Sequence, residues 1–328
     1  MTKENQKYCP CGKSAKTIEE KEDCYIYKTA DETGEVIRTD YPVFSGIHLI
    51  YNDIHAKSCS QGREYSGNIL EINHCREGRI ECEHKDDFYY LAAGDMSITL
   101  RNSEKLHSYF PHSHYHGISI VIDIDKAPSC LSCILDDINV CPSALIKKYC
   151  SEDQYFIMRS KPCLEHIFSE LYSVPNSIKK GFFKVKILEL LLFLSGMDIA
   201  ENETQNRLYS KNQVNLAKEA CRHLTQNMNR RITINELADT FHVSPTQLKN
   251  SFKGVYGVSV YSYIRSEKMQ AAALMLKQTD CTILDIAGKY GYDNGSKFAK
   301  AFKDTIGMSP NEYRNHCKSQ NLRQENTI

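Results

Sequence analysis

Ile234-Asn-Glu-Leu-Ala-Asp-Thr-Phe-His-Val-Ser-Pro-Thr-Gln-Leu-Lys-Asn-Ser-Phe-Lys253 and Ile283-Leu-Asp-Ile-Ala-Gly-Lys-Tyr-Gly-Tyr-Asp-Asn-Gly-Ser-Lys-Phe-Ala-Lys-Ala-Phe-Lys303 share one pattern. Each reads as a short amphipathic helix, a tight turn and a second helix that opens on a capping residue. In the first stretch, Leu237, Ala238, Phe241, Val243, Leu248 and Phe252 fall where two crossing helices must meet. Ala238 is small enough for close approach, Ser244 is a good N-cap, and Pro245 suits the first helical position. In the second, Ile283, Ile286 and Ala287 form the inner stripe, and Phe298 and Phe302 point inward. Gly291 sits at the turn, where a left-handed backbone costs glycine little. Asp293 or Asn294 caps the next helix.

What these helices leave outside is polar or cationic. The first presents Thr246, Gln247, Lys249 and Asn250; the second presents Ser296, Lys297, Lys300 and Lys303. A helix held against a partner in this way fits the major groove of double-stranded DNA. Thr and Asn reach base edges, and Lys reaches guanine or phosphate. A lysine run is more commonly a solvated face. Here it lies on the helix that the turn presents.

Charge points the same way. The 328-residue chain has no net charge, but residues 211–328 hold 17 Lys and Arg against 10 Asp and Glu, a net +7 that leaves −7 for the rest. A basic C-terminal part joined to an acidic remainder places any polyanion contact in the former.

Ahead of it the period changes. Gly46–Tyr51, Asn68–Asn73, Gly78–Glu83, Phe88–Leu91, Met96–Leu100 and Gly117–Ile124 alternate at period two between turn residues. This reads as an antiparallel sheet closing on itself, with room for a ligand. Residues 1 to about 40 read as polar and turn-rich, with a weak strand at Cys24–Tyr27. Leu164–Leu171 and Phe182–Leu194 have helical spacing, and Glu189 is isolated among apolar residues, so that helix is expected to be packed on most sides, within the chain or against a second subunit. Residues 200–206 are polar and non-periodic. The polar Met1-Thr-Lys-Glu-Asn-Gln-Lys7 lacks the apolar core of a secretory signal, and the apolar run Ile187–Leu194 is far short of the ~20 residues that span a bilayer. Cytoplasmic residence with no membrane contact is expected.

The C-terminal region, over roughly residues 212–317, resembles the AraC/XylS family of transcription regulators. The likeness is carried by Leu237-Ala238, Ser244, Leu248, Phe252-Lys253, Gly257, Tyr263-Ile264, Ala272, Leu276, Ile283, Ile286-Ala287, Gly291-Tyr292, Phe298, Phe302-Lys303 and, above all, Gly307-Met-Ser-Pro-Asn-Glu-Tyr-Arg314. The resemblance implies a rigid helix joining the two units, here about Val260–Leu276. It places base-reading positions on Thr246, Lys249, Asn250, Ser296, Lys297 and Lys300. Lys253, Lys303 and Arg314 are expected to help hold phosphates. It also implies an effector-binding, dimerising domain ahead of the DNA-binding one. Lys268 stands where the family has Arg, and His242 stands at the first turn where Gly is common. Ile69–Asp125 resembles the sensory domain of clostridial-type members and, distantly, the siderophore-responsive branch.

The expected layout is α+β. An antiparallel, cupin-like β-barrel sensor covers 1–140, a helical connector and dimerisation region 141–199, a linker 200–211, and a double helix-turn-helix domain 212–318. Partners implied are DNA, a small-molecule effector, RNA polymerase and a second copy of the chain.

Two residue sets leave an alternative open, that of a metal- or thiol-sensing regulator. His112, His114 and His116 alternate with Ser113 and Tyr115, and on a strand they would share one face. The 14 cysteines include Cys9-Pro-Cys11, Cys130-Leu-Ser-Cys133, Cys141, Cys150 and Cys163. Only one Cys-x-x-Cys occurs, its companions are irregular, and no carboxylate closes the histidine set, so no metal ligand and no cofactor is assigned. A self-methylating repair regulator would need a cysteine tetrad whose spacing is absent. The chain has no phosphate loop, nucleophile elbow or metalloprotease helix, and is expected not to be an enzyme.

Overall fold

A computed structural model of the chain describes residues 17–21, 23–61, 68–84, 86–101, 106–131, 140–150, 155–199 and 208–325. It divides into two compact units, residues 1–208 and 209–328.

The first unit is built on β1 (Thr17–Lys21), β2 (Cys24–Asp31), β3 (Gly34–Phe44), β4 (Ile47–Ala56), β5 (Ser58–Gln61), β6 (Ile69–His84), β7 (Asp87–Ala92), β8 (Met96–Arg101), β9 (Leu106–Tyr109), β10 (Tyr115–Asp123) and β11 (Tyr155–Met158). Between and after the last strands come α1 (Pro142–Tyr149), α2 (Pro162–Leu171) and α3 (Lys179–Gly196). The main path runs β1-β2-β3-β4-β10-β6-β7, and its pairs are antiparallel.

Strand β6 is the hub. Its first part pairs with β8 and β10, and from Arg79 onward it pairs with β7. Between the two parts lies Gly78, with φ +82°, where a Cβ would stand 2.3 Å from the His114 carbonyl oxygen. Only glycine lets the strand bend there against its neighbour. Asn68–Asn73 and Gly78–Glu83, separate strands by their period, are one strand with a bend. The sheet curls into a half-barrel, with no pairing among the described residues to join β1 to the far edge, so the expected closed barrel is not formed by these strands.

The N-terminal stretch read as turn-rich holds three strands. On β3 the buried positions are Val36, Arg38, Asp40 and Val43, so charged residues occupy the inner face and hide the amphipathic period. These charges are compensated by partners. Asp40 accepts from His48 Nδ1 at 2.9 Å. Arg38 Nε donates to Asn52 Oδ1 at 3.2 Å, Asn52 Nδ2 donates to Ser119 Oγ at 2.9 Å, and Tyr115 Oη donates to Asn73 Oδ1 at 2.8 Å. A satisfied polar chain of this kind inside a sheet fixes register more than it adds stability.

Residues 141–199 are part of this unit rather than a separate connector. Strand β11 pairs with β8, and Leu164, Ile167, Phe168, Phe183, Ile187 and Leu190 share one core with Leu49, Ile72, Ile98, Ile118 and Ile120 of the sheet. Helix α3 buries only one side. Val185, Leu192 and Phe193 are exposed, and Glu189 pairs with Lys186 at 2.7 Å and His166 at 3.1 Å. No described helix is long and apolar enough to cross a membrane.

The second unit holds α4 (Lys211–Gln226), α5 (Ile234–Thr240), α6 (Pro245–Tyr256), α7 (Val260–Gln278), α8 (Ile283–Lys289), α9 (Gly295–Ile306) and α10 (Pro310–Glu325). Ser210 caps α4 through a reciprocal capping box with Gln213, so Ser210 and Lys211, assigned to the linker, belong to this helix. The rest of that assignment, 200–207, lies outside the described residues.

One buried group gives the first unit an acid sensitivity. The His74 ring stacks on Phe168 at 3.9 Å, and burial pushes its pKa down to about 4, with Glu165 acting weakly the other way. The unfolded imidazole titrates near ~6.5, so the unfolded chain gains its proton first as pH falls. Stability is therefore full above about pH 6.5 and declines toward pH 4, by up to ~3 kcal/mol. Urea melts between pH 7 and 4.5 should show this slope in the wild type and a flatter one in His74→Phe; an equal slope in the variant would exclude His74 as the cause.

Candidate nucleic-acid interface

The pairs α5/α6 and α8/α9 are built alike. Thr233 accepts from Glu236 N–H at 3.2 Å to start α5, and Thr282 accepts from Asp285 N–H at 3.1 Å to start α8. Ser244 accepts from Gln247 N–H at 3.2 Å to start α6, and Asn294 accepts from Ser296 and Lys297 N–H at 2.8 and 3.2 Å to start α9. Helix α6 ends at Gly257 (φ +75°) and α9 at Gly307 (φ +91°), the left-handed termination that glycine favours.

Position 245 in α6 corresponds to 295 in α9, an offset of 50 residues. The turns differ: residues 241–244 separate the first pair and 290–294 the second, so the second turn is one residue longer. His242 (φ +54°) and Gly291 (φ +75°) occupy the left-handed position in each. His242 carries a backbone cost there that Gly291 avoids.

The offset aligns Thr246 with Ser296, Gln247 with Lys297, Asn250 with Lys300 and Lys253 with Lys303. All eight are exposed, as is Lys249, which aligns with the half-buried Ala299. Leu248 and Phe252 of α6, and Phe298 and Phe302 of α9, are wholly buried on the opposite faces. Phe241 and Val243, expected inside, are half-buried in the turn. Arg314 is used differently from the surface lysines. It is half-buried on α10, and its guanidinium donates to the Cys281 carbonyl just ahead of α8.

Helix α7 packs against α4, α6, α8, α9 and α10. Met269, Ala272, Ala273 and Leu276 of α7 share a core with Ile286, Ala287, Phe298 and Phe302. At the same junction Lys268 is buried, and its Nζ donates to the carbonyls of Tyr290 at 3.0 Å and Arg230 at 3.3 Å. Burial lowers its pKa from the ordinary lysine value. Tyr290 is the C-cap of α8, where the helix dipole favours a cation. The expected departure from a bidentate arginine pair is thus met by an ammonium on two carbonyls.

A cleft of about 700 Å³ opens between the loop before α5, the start of α7 and the face of α9. Its walls carry Arg230, Arg231, Arg265, Lys297 and Lys300. Arg230 pairs with Glu236 at 2.5 Å and Arg265 with Asp304 at 2.7 Å, whereas Lys297 and Lys300 have no ion pair among the described residues. Arg230, Arg231 and Arg265 are not among the residues expected from the sequence to meet DNA. Adjacent arginines at 230 and 231, just before a capped helix, were the available signal.

No metal-ligating set that includes a cysteine is found among the described residues. Cys9, Cys11 and Cys133 lie outside the described residues. Burial pushes the Cys75 and Cys82 thiols up to about 12 and Cys150 to about 11, which keeps them protonated and weakly nucleophilic. The histidine trio does not share a strand face. His112 and His114 lie in the turn before β10, where Ser113 has φ +57°, and only His116 is on the strand.

Comparison with known proteins bears on the same region. A family model described as a helix-turn-helix domain matches residues 237–316, which take in most of the first helix pair and all of the second. The HTH-type transcriptional regulator YtdP of Bacillus subtilis (strain 168) is 23% identical over 255 residues, covering 74% of this chain and 31% of that protein. The arabinose operon regulatory protein of Escherichia coli (strain K12) is 25% identical over 154 residues, 47% of this chain and 53% of that protein. The chain thus spans about a third and about half of these two relatives. The solved C-terminal domain of AraT, a response regulator from Geobacillus stearothermophilus, is 30% identical, covering 31% of this chain and 84% of that chain at a TM-score of 0.30. The C-terminal helical unit is thus an AraC-type helix-turn-helix domain, similar to those of HTH-type transcription regulators.

Proposed function

We propose that the chain is a sequence-specific regulator of promoter activity with two helix-turn-helix motifs, in which α6 and α9 enter successive major grooves on one face of double-stranded DNA. The carrying observation is the register of 50 residues that gives both helices the same polar, exposed face over the same buried one. The length of α7 supports the spacing. Its 19 residues make a rod of about 28 Å at ~1.5 Å per residue, near the ~34 Å of one DNA turn. Thr246, Lys249, Asn250, Ser296, Lys297 and Lys300 read base edges, with Gln247 beside them. Lys253 and Lys303 hold phosphates. Arg314 serves the interface by fixing α10 to the start of α8. Arg230, Arg231 and Arg265 add positive potential along the cleft.

In this reading the N-terminal half-barrel, cupin-like in layout, is the sensor. A small-molecule effector bound there shifts promoter occupancy and contact with RNA polymerase. The exposed apolar stripe Val185, Leu192 and Phe193 of α3 joins two copies into a homodimer. The protein acts in the cytoplasm and has no enzymatic step.

Lys300→Ala should relax preference at one base pair of the operator and cost about 1–3 kcal/mol on the cognate site in a mobility-shift titration. An equal loss on random DNA would assign Lys300 to phosphate alone. Leu192→Glu should yield monomers in sedimentation equilibrium of the full chain, and a retained dimer would remove α3 as the interface.

A further inference from the structure

Strands β4 and β10 bring together three metal-ligating side chains that lie far apart in sequence. Asp53 and His55 are two residues apart on β4 and so share a face. His116 on β10 is the register partner of Asp53. Asp53 Oδ1 stands 3.1 Å from His55 Nε2 and 3.2 Å from His116 Nδ1, and the three donor atoms lie within 4.8 Å of one another.

These contacts are not hydrogen bonds. Asp53 Oδ1 is shielded from solvent and has no hydrogen-bond partner, although two imidazole nitrogens converge on it. The Asp53 side chain as a whole is half exposed, but this one oxygen is cut off from water and lacks a donor. A cation seated between the three donors would satisfy all of them together. Ligands held at about 2.0–2.1 Å around a tetrahedral or octahedral ion stand about 2.8–3.4 Å apart, and both Asp53–imidazole distances fall in that range. The His55 ring is accessible to solvent, so an ion can enter directly. Glu77 is the register partner of His116 on β6, and Glu35 that of His55 on β3; Arg76 and Lys28 pair with them at 3.7 and 2.7 Å.

We infer that Asp53, His55 and His116 form a binding site for a divalent transition-metal ion on the half-barrel. Two imidazoles and one carboxylate suit zinc, nickel, cobalt or iron(II) over the hard cations calcium and magnesium. Three protein ligands leave at least one position open to water or an anionic ligand. The bound ion cross-links β4 to β10 beside the bend of β6, so metal occupancy stiffens the curl of the sheet. This site is independent of the DNA-binding reading. It differs from the histidine trio considered in the sequence, of which it uses only His116.

The probe is Co²⁺, added to full-length protein that has been stripped with chelator and kept reduced. The expected result is one Co²⁺ per chain, with visible d–d absorption and no thiolate-to-cobalt charge-transfer bands. Binding should weaken by at least about tenfold, or ~1.4 kcal/mol, in Asp53→Asn and in His55→Ala separately. Co²⁺ should also raise the melting temperature of the wild type and leave that of His55→Ala unchanged. No retained cobalt, a spectrum dominated by thiolate bands, or wild-type affinity in both variants would each overturn the assignment. The wild-type stoichiometry and spectrum decide the question even if a variant fails to fold.

Discussion

The ammonium of Lys268 lies where α7, the end of α8 and the loop before α5 meet. It donates to the carbonyls of Tyr290 and Arg230. Next to it, a Cβ on Gly291 would stand 3.1 Å from the Asn229 carbonyl oxygen, so the turn of the second helix pair and the loop that leads into the first are in close approach. Removing the ammonium would leave two carbonyls short of a donor, at a cost of about 1–3 kcal/mol. The junction joins the two pairs, and α7 carries it because it packs on both α6 and α9. A reading mechanism with two helices needs their separation to be fixed before DNA arrives, since binding energy otherwise goes into ordering them.

Most of this unit is legible in the sequence, because local chemistry and tertiary demand agree there. Ser244 and Pro245 announce α6, and the pair Asp293-Asn294 announces α9, each on capping grounds that need no knowledge of the rest of the fold; the structure selects Asn294 as the cap. Phe252 and Phe302 point inward by helical period alone. The N-terminal unit is legible only in part. On β3, Arg38 and Asp40 face inward, where their partners come from other strands, so the alternation that marks an amphipathic strand is reversed in sign. Strand β6 reads as two strands because Gly78, a turn signal in one dimension, serves as a bend in three. The region 141–199 reads as a connector because pairing of β11 with β8 is a long-range fact.

The same difference governs the candidate sites. Thr246, Asn250, Lys297 and Lys300 lie on helices whose faces follow from the 3.6-residue period. Arg265 joins the cleft through packing of α7 beside α9, and no spacing rule reveals it. The histidines show the limit most clearly. Period-two spacing groups His112, His114 and His116, yet a left-handed Ser113 breaks the strand, and the partners of His116 come from β4, more than fifty residues earlier.

In the proposed function α6 and α9 act as a pair held one DNA turn apart. Methylation interference on the operator tests it most directly, because it reports major-groove contacts base by base. Two short interfered segments on one face of the duplex are expected, with centres about 10–10.5 base pairs apart. A single interfered segment, or two on opposite faces, would contradict it.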